Sequence, residues 1–288
     1  MTNVKWTAAL MACLTLLSCS FEKLAGGAGA GNPPQADVVV SLKASSAETS
    51  APKAAALTKV FSTRLRNPDS TFTVADSVGN AWTLSAIEVR IQKIEFALPQ
   101  GITCTDLHWQ LCEKNEVIVK GPYNMNLMTG SATPAINFIK LPEGLYTRIA
   151  LELPEFGDIT SISDTVVSNL VIRGVGGRTA SESKRFELKL NLSDGLEFTD
   201  SIGVRISASS LNKLTLSLLV DGWFRGTDML ACIDGSIPKG NVTGGVSADS
   251  AGVVQLLGDT ACGNLGLRIR RNIEASSDVL IEELSELP

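Results

Sequence analysis

The chain has 288 residues, 44% of them apolar, and 25 basic against 30 acidic residues give it a formal charge of −5. That length suits one large domain or one domain with an extension, and the acidic balance excludes nucleic-acid binding by bulk charge, which needs clustered Lys and Arg. A single His and no GxSxG motif leave little material for His-dependent nucleophilic catalysis.

At the N-terminus, Lys5 precedes an apolar run from Trp6 to Leu17, and Ser18 and Cys19 follow. A charged start, an apolar run of about 12 residues and a small-residue exit form the pattern of an export signal; a membrane span needs roughly 20 apolar residues. A buried N-terminal helix of the folded domain is the structural alternative, but no polar face interrupts the run. Leu16-Leu17-Ser18-Cys19 resembles the bacterial lipobox, in which a leucine three before and a small residue one before precede a cysteine that becomes acylated. The resemblance implies a signal over residues 1–18, a lipid on Cys19, and a protein tethered to a membrane without spanning it. Cys13, after Met11-Ala12, is the rival exit, with a shorter apolar run before it. By resemblance to enterobacterial lipoproteins, Ser20 in place of Asp implies the outer membrane and leaves open which face.

The chain has six cysteines. With Cys13 discarded in the signal and Cys19 acylated, Cys104, Cys112, Cys232 and Cys262 remain, an even set in an exported chain. Three pairings are open, and proximity favours Cys104 with Cys112 and Cys232 with Cys262. Zinc is the alternative, but the spacings do not make paired CxxC hooks and one His is available to assist. No cofactor or metal is expected.

Residues 19–56 are rich in Ala, Gly, Ser and Pro and read as a flexible tether, interrupted at Val38 to Leu42 by an edge strand. From 57 to 225 short apolar runs of period two alternate with turn residues, the signature of strands. Trp82, Leu84 and Ala86, then Ile87, Val89 and Ile91, then Ile94, Phe96 and Leu98 shift phase twice. The spacing predicts one long central strand with bulges near Ala86 and Gln92-Lys93, or a strand crossing between sheets.

Further strands are predicted at Val117 to Val119, Tyr123 to Met128, Ile136 to Leu141, and Tyr146 to Leu153, with a turn at Pro142-Glu143-Gly144. Phe186 to Leu192, Ile202 to Ile206 and Leu214 to Val220 complete the series, with Asp194-Gly195 and Asp221-Gly222 read as hairpin turns and Trp82 as core. Residues 226–288 read as an appendage stapled by Cys232 and Cys262. There, Arg268, Arg270 and Arg271 are expected on a solvated strand face, and Ala275 to Leu287 as a short amphipathic helix capped by Ser276-Ser277-Asp278. The turn density predicts an all-β fold, an antiparallel β-sandwich of immunoglobulin-like type.

Three segments carry a wider resemblance: Ser85 to Glu95, Gly121 to Gly130, and Leu141 to Ile149 with its Leu-Pro-Glu-Gly-Leu-Tyr run. In this order they resemble a bacterial family of exported lipoproteins with a domain of unknown function and a transthyretin-like sandwich. The resemblance spans about residues 80 to 225, Trp223-Phe224 included. It implies a fold and no activity, so it carries over no functional residue.

His108 and Trp109 lie together between Cys104 and Cys112. A short disulfide would preorganise Trp109 for stacking on a partner or a sugar, but Trp109 folded down over the end of the sandwich is the favoured reading. His108 has no nucleophile in sequence to serve. Asp158, Asp164, Asp194, Asp200, Asp221 and Asp228 are the loop acids that a glycosidase or a calcium site would draw on, but none follows calcium-loop spacing. The expectation is therefore a non-enzymatic, membrane-anchored envelope lipoprotein serving as an interaction or structural module. Its partners are the membrane and an envelope protein or glycan, not nucleic acid; a carbohydrate-binding or carbohydrate-processing domain is the alternative.

Overall fold

The period-two runs are strands in the computed structural model, which describes residues 33–46, 71–107, 112–156, 168–179, 183–192, 195–234, 246–248, 252–259 and 261–284. In chain order, β1 (Gln35–Ser45), β2 (Phe72–Ala75) and β3 (Ala81–Ala97) come first. Next come β4 (Cys112–Glu113), β5 (Glu116–Asn126), β6 (Ser131–Thr133), β7 (Ile139–Pro142) and β8 (Gly144–Glu152). After them run β9 (Leu170–Gly177), β10 (Lys184–Leu190), β11 (Leu196–Ile206) and β12 (Leu211–Leu219). The C-terminal part holds α1 (Met229–Ile233), β13 (Val246–Ala248), β14 (Val253–Leu257), α2 (Leu265–Glu274) and β15 (Ser277–Leu284). The fold is all-β and sandwich-like, with a small sheet in the order β15-β12-β1-β7 and a large one built around β3.

β3 carries both expected bulges. Its pairing with β9 slips between Leu84 and Ala86, and its pairing with β5 slips between Ile91 and Lys93. Each slip inserts the residue needed to return the apolar set to the same face, so Trp82, Leu84, Ile87, Val89, Ile91, Ile94 and Phe96 are all buried. Glu88 pairs with both Asn126 and Val171, and Lys93 with both Lys120 and Glu152. Hence β5 runs along one edge of β3, while β9 and then β8 take the other, and β3 belongs to two halves of the large sheet. Bulging and crossing are one feature.

Glycines on β9 make room for the largest core rings. Trp82 lies opposite Gly176 and Phe186 opposite Gly174; a Cβ at Gly176 would sit 2.3 Å from the Ala81 carbonyl oxygen, and one at Gly174 would sit 2.8 Å from the Phe186 ring. Aromatic side chains then cover the bare backbone. Trp82 packs edge-on against Phe186 at 5.6 Å between centroids, and Phe186 against Phe224 at 6.0 Å. Tyr146 is buried beside Phe96 and donates its hydroxyl to the Pro142 carbonyl at 2.8 Å, a corner that fixes the passage from β7 into β8.

Several expectations are corrected by the pairing. The stretch read as an edge strand within the tether is β1, an inner strand parallel to β12 and antiparallel to β7. Ala36, Val38, Val40, Leu42 and Ala44 join the main core, so the domain starts near Pro33, well before residue 57. Ile202 is 72% exposed while Val204 and Ile206 are buried, because β11 breaks register between Thr199 and Val204. The strands flanking residues 194–195 lie in different parts of the sheet, and Asp221-Gly222 sits in a 3₁₀ turn, so neither is a hairpin. Turn residues report a change of direction, not the next partner.

The stapled C-terminal segment is woven into both sheets: β14 runs parallel to β10, and β15 pairs with β12. The short helix lies earlier than expected, over α2, whose Leu265, Ile269 and Ile273 are buried at helical spacing and whose Arg268, Arg270 and Arg271 are thus not on a strand. Ser276 does not open a helix. It accepts from Trp223 Nε1 at 3.0 Å and donates to the Ile273 carbonyl at 2.6 Å, closing α2 before β15 begins.

One buried acid ties these parts together. Asp76, 6% exposed, receives the backbone N–H groups of Val78 and Asn80 on Oδ1, at 3.1 and 2.9 Å. On Oδ2 it receives Asn80 Nδ2, Trp82 Nε1 and the Met229 N–H, at 2.9, 3.1 and 3.3 Å. Asp76→Ala strands five donors, one of them on the central core ring, and should lower unfolding stability by about 3–5 kcal/mol in chemical denaturation. A loss under about 1 kcal/mol would contradict this role.

Candidate functional site

Cys104, Cys112, Cys232 and Cys262 form two bridges. Cys104–Cys112 and Cys232–Cys262 have Cα separations of 5.4 and 5.5 Å. Cys104 opens a 3₁₀ turn held by Asp106, whose Oδ2 accepts from the backbone N and the hydroxyl of Thr103, each at 2.8 Å. Cys112 lies in β4, and the Lys114-Asn115 turn, both residues at positive φ, leads into β5.

His108 and Trp109 lie outside the described residues, as do Cys13, Cys19, Asp158, Asp164 and Asp194. The described loop acids have local structural work. Asp200 accepts from the Ile202 N–H at 2.9 Å, and Asp228 caps α1 by accepting from the Ala231 N–H at 2.9 Å. Asp221 is exposed on its 3₁₀ turn. Among the described residues no group of three or more His, Cys, Asp or Glu side chains is placed to hold a metal ion.

Two charged ladders cross the sheet. Lys93 reaches Glu95 at 2.9 Å and Glu152 at 2.5 Å, while Arg148 joins Glu116 and, at 3.1 Å, Glu197. Arg173 bridges Glu88 at 2.8 Å and Glu187 at 2.5 Å, and Lys189 adds a second cation to Glu187 at 2.9 Å. Hydrogen bonds to Glu152 and Glu95 raise the Lys93 ammonium above its ordinary value. Burial pushes the Glu187 carboxyl up, but the hydrogen bonds and charges of Lys189 and Arg173 outweigh it and hold the group below the ordinary range. A general acid needs the opposite shift.

Among the described residues, a partly apolar groove of about 740 Å³ lies between β5 and the segment 134–138. β6 pairs with β5 as far as Thr133 opposite Asn124 and stops before Pro134, and β5 carries Pro122 just past the same point; neither proline can donate to a ladder. The opening is lined by Val119, Tyr123, Ile136 and Phe138 among others, and Phe138 is 64% exposed. The Tyr123 hydroxyl is turned back to the Lys120 carbonyl at 2.9 Å. Lys120 and Lys140 are the charged residues of the lining, and Lys140 also meets Asp37 at 3.1 Å. The sequence places Ile136 to Leu141 in one strand, but β7 starts only at Ile139, and that difference is what opens the groove.

No family model matches the chain, and no solved structure matches it. The chain is 30% identical over 142 residues to large ribosomal subunit protein uL6 of Lachnoclostridium phytofermentans, a match covering 44% of this chain and 73% of that protein. On that identity and coverage the chain belongs to the uL6 family. The uL6 match leaves more than half of this chain uncovered, and the ribosomal setting in the name belongs to the uL6 relative.

The Glu187 ladder sets a pH dependence. A carboxyl held below its ordinary value of 4.5 stabilises the fold above that pH, and the contribution is lost as pH falls through the lowered folded-state value. Glu187→Gln should cost about 0.5–1 kcal/mol at neutral pH, for a pair whose Arg173 is partly exposed, and should make the decline of stability below pH 4.5 shallower. Parallel acid limbs for the two proteins would count against the ladder.

Proposed function

We propose that the protein is a non-enzymatic lipoprotein of the bacterial cell envelope, held to the outer membrane through an acylated Cys19 and acting as an interaction module for another envelope protein. The observation that carries this reading is the pair of disulfides, which together use every cysteine left once Cys13 leaves with the signal and Cys19 takes the lipid. Structural disulfides persist in oxidising compartments such as the periplasm and are rare in the cytosol. The resemblance to exported lipoproteins and the export-type N-terminus point the same way. The groove beside β5 supplies the surface of contact, since exposed apolar area rimmed by polar residues marks interaction sites.

Two other readings are weighed against specific observations. Sugar binding favours exposed rings beside a carboxylate. Among the described residues, Phe138 is an exposed ring without a stacked neighbour, and the paired rings are core. The uL6 match suggests a ribosomal component. Binding of that kind depends on cations set against phosphates, whereas this chain carries a net −5, its ladder cations are paired with carboxylates, and its four described cysteines are joined in disulfides.

Exchange of Cys19 for Ser should abolish fatty-acid labelling in the cells that make the protein and move the product from the membrane to the soluble fraction. Persistent labelling, or cofractionation of the unaltered protein with ribosomes, would sink the proposal.

A further inference from the structure

Where β2 turns into β3, an apolar tip and three arginines come together on the surface. The turn at residues 76–80 leans on the stretch after β12: the Ser77 N–H donates to the Thr227 carbonyl at 3.0 Å, and the Gly226 N–H donates to the Ser77 hydroxyl. That stretch lies in turn against α2, where Asn272 Nδ2 donates to the Arg225 carbonyl at 2.9 Å and the Arg268 guanidinium donates to the Gly226 carbonyl. Arg271 stands three residues on from Arg268, on the side of α2 away from buried Leu265, Ile269 and Ile273. Val78, Arg225, Arg268 and Arg271 are all exposed, Val78 to 61%.

The charges at this end do not cancel. Arg270 takes the acids of the helix, Asp259 at 3.0 Å and Glu274 at 3.8 Å. Asp76 is buried beneath its donors, Asp228 caps α1, and Asp221 has a partner of its own. Among the described residues no carboxylate pairs with Arg225, Arg268 or Arg271, in a molecule of net charge −5. The surface is also convex: a Cβ added at Gly79 or Gly222 would meet nothing within 4 Å. A protein partner of the usual kind needs a packed, complementary core. An apolar tip set among unpaired guanidinium groups on long apolar stems suits the headgroup layer of a membrane instead, where the tip enters the acyl boundary and the cations meet phosphates.

We infer that this end of the protein is a docking face for an anionic lipid surface, with Val78 inserted and Arg225, Arg268 and Arg271 set against lipid phosphates. The inference takes its setting from the envelope reading but does not depend on the acyl group of Cys19. The contact orients the domain on the bilayer, which a tether alone cannot do. It is weak and salt-labile, so the unacylated protein still leaves the membrane on fractionation.

The test is cosedimentation of the full chain bearing Cys19→Ser with vesicles of phosphatidylcholine and with vesicles of equal parts phosphatidylcholine and phosphatidylglycerol. The apolar run at residues 6–17 is common to every sample and sets the baseline. At low ionic strength the mixed vesicles should bind about a hundredfold more tightly, about fivefold for each arginine, and molar salt should remove the excess. Arg225→Gln combined with Arg271→Gln should cut the excess about 25-fold. Val78→Ser should cut it about tenfold. Arg205→Gln, at an exposed position on β11, should leave it unchanged. Equal binding to the two vesicles, or an excess that survives the double variant, would overturn the inference. So would capture of poly-glutamate, abolished by the same double variant, with no preference between the vesicles, since the patch would then belong to an acidic protein. Absent acylation at Cys19 with a retained preference would defeat the anchor and leave the docking face standing; acylation with no preference would defeat the docking face alone.

Discussion

The apolar side chains of β3 must all reach one core although the strand changes neighbours midway and runs for 17 residues. A regular strand with its phase shifts would send Trp82 and Leu84 to one face, Ile87 to Ile91 to the other, and Ile94 and Phe96 back again. Two bulges cancel both inversions, and they also bend the strand enough to serve two halves of the large sheet. Every other pairing in that sheet is set by where β3 turns. Gly174 and Gly176 follow from it as well, because only a strand without side chains at those points can approach Trp82 and Phe186.

The second constraint is how the chain returns. After β12 it leaves the small sheet, passes Trp223 and Phe224 through the core, and comes back in β15. Polar contacts hold that return in place. Asp76 receives Met229, Asn272 Nδ2 donates to the Trp223 and Arg225 carbonyls at 2.9 Å, and the Cys232–Cys262 bridge ties α1 to the turn before α2. Because β1 and β15 flank β12, the small sheet needs both ends of the described chain. A long-range closure of this kind buries a large core at the cost of slow, non-local pairing.

Alternation made most of the strands legible in the sequence, and the phase shifts at Ala86 and Gln92 marked both bulges, because a period of two leaves no other way to keep an apolar set on one side. Cysteine spacing favoured the two bridges that the structure contains. What escaped has physical causes. β1 is flanked by Ala, Gly and Ser tracts that mask a buried parallel strand. Val279, Leu280 and Leu284 fit a helical period as well as a strand, and pairing with β12 decides between them. Asp76 was invisible as a hub, since its Asp-Ser-Val-Gly-Asn context reads as an ordinary turn and its farthest donor, Met229, is supplied from far along the chain. The groove was missed for a related reason: it arises where β6 and β5 part at Pro134 and Pro122, and local pattern reports strands without reporting the gaps between them.

Cysteine parity links the two bridges to the proposed anchor: four cysteines remain for the domain if Cys13 leaves with a signal and Cys19 is acylated. Charge sets the character of the surface, where ladder acids are neutralised by Lys and Arg and Lys140 beside the β5 groove is paired with Asp37. The most direct measurement is peptide mapping, without reduction, of the protein isolated from the membranes of the cells that make it. The account predicts Cys104 linked to Cys112, Cys232 linked to Cys262, and no free thiol among the four; free thiols at these positions would contradict it.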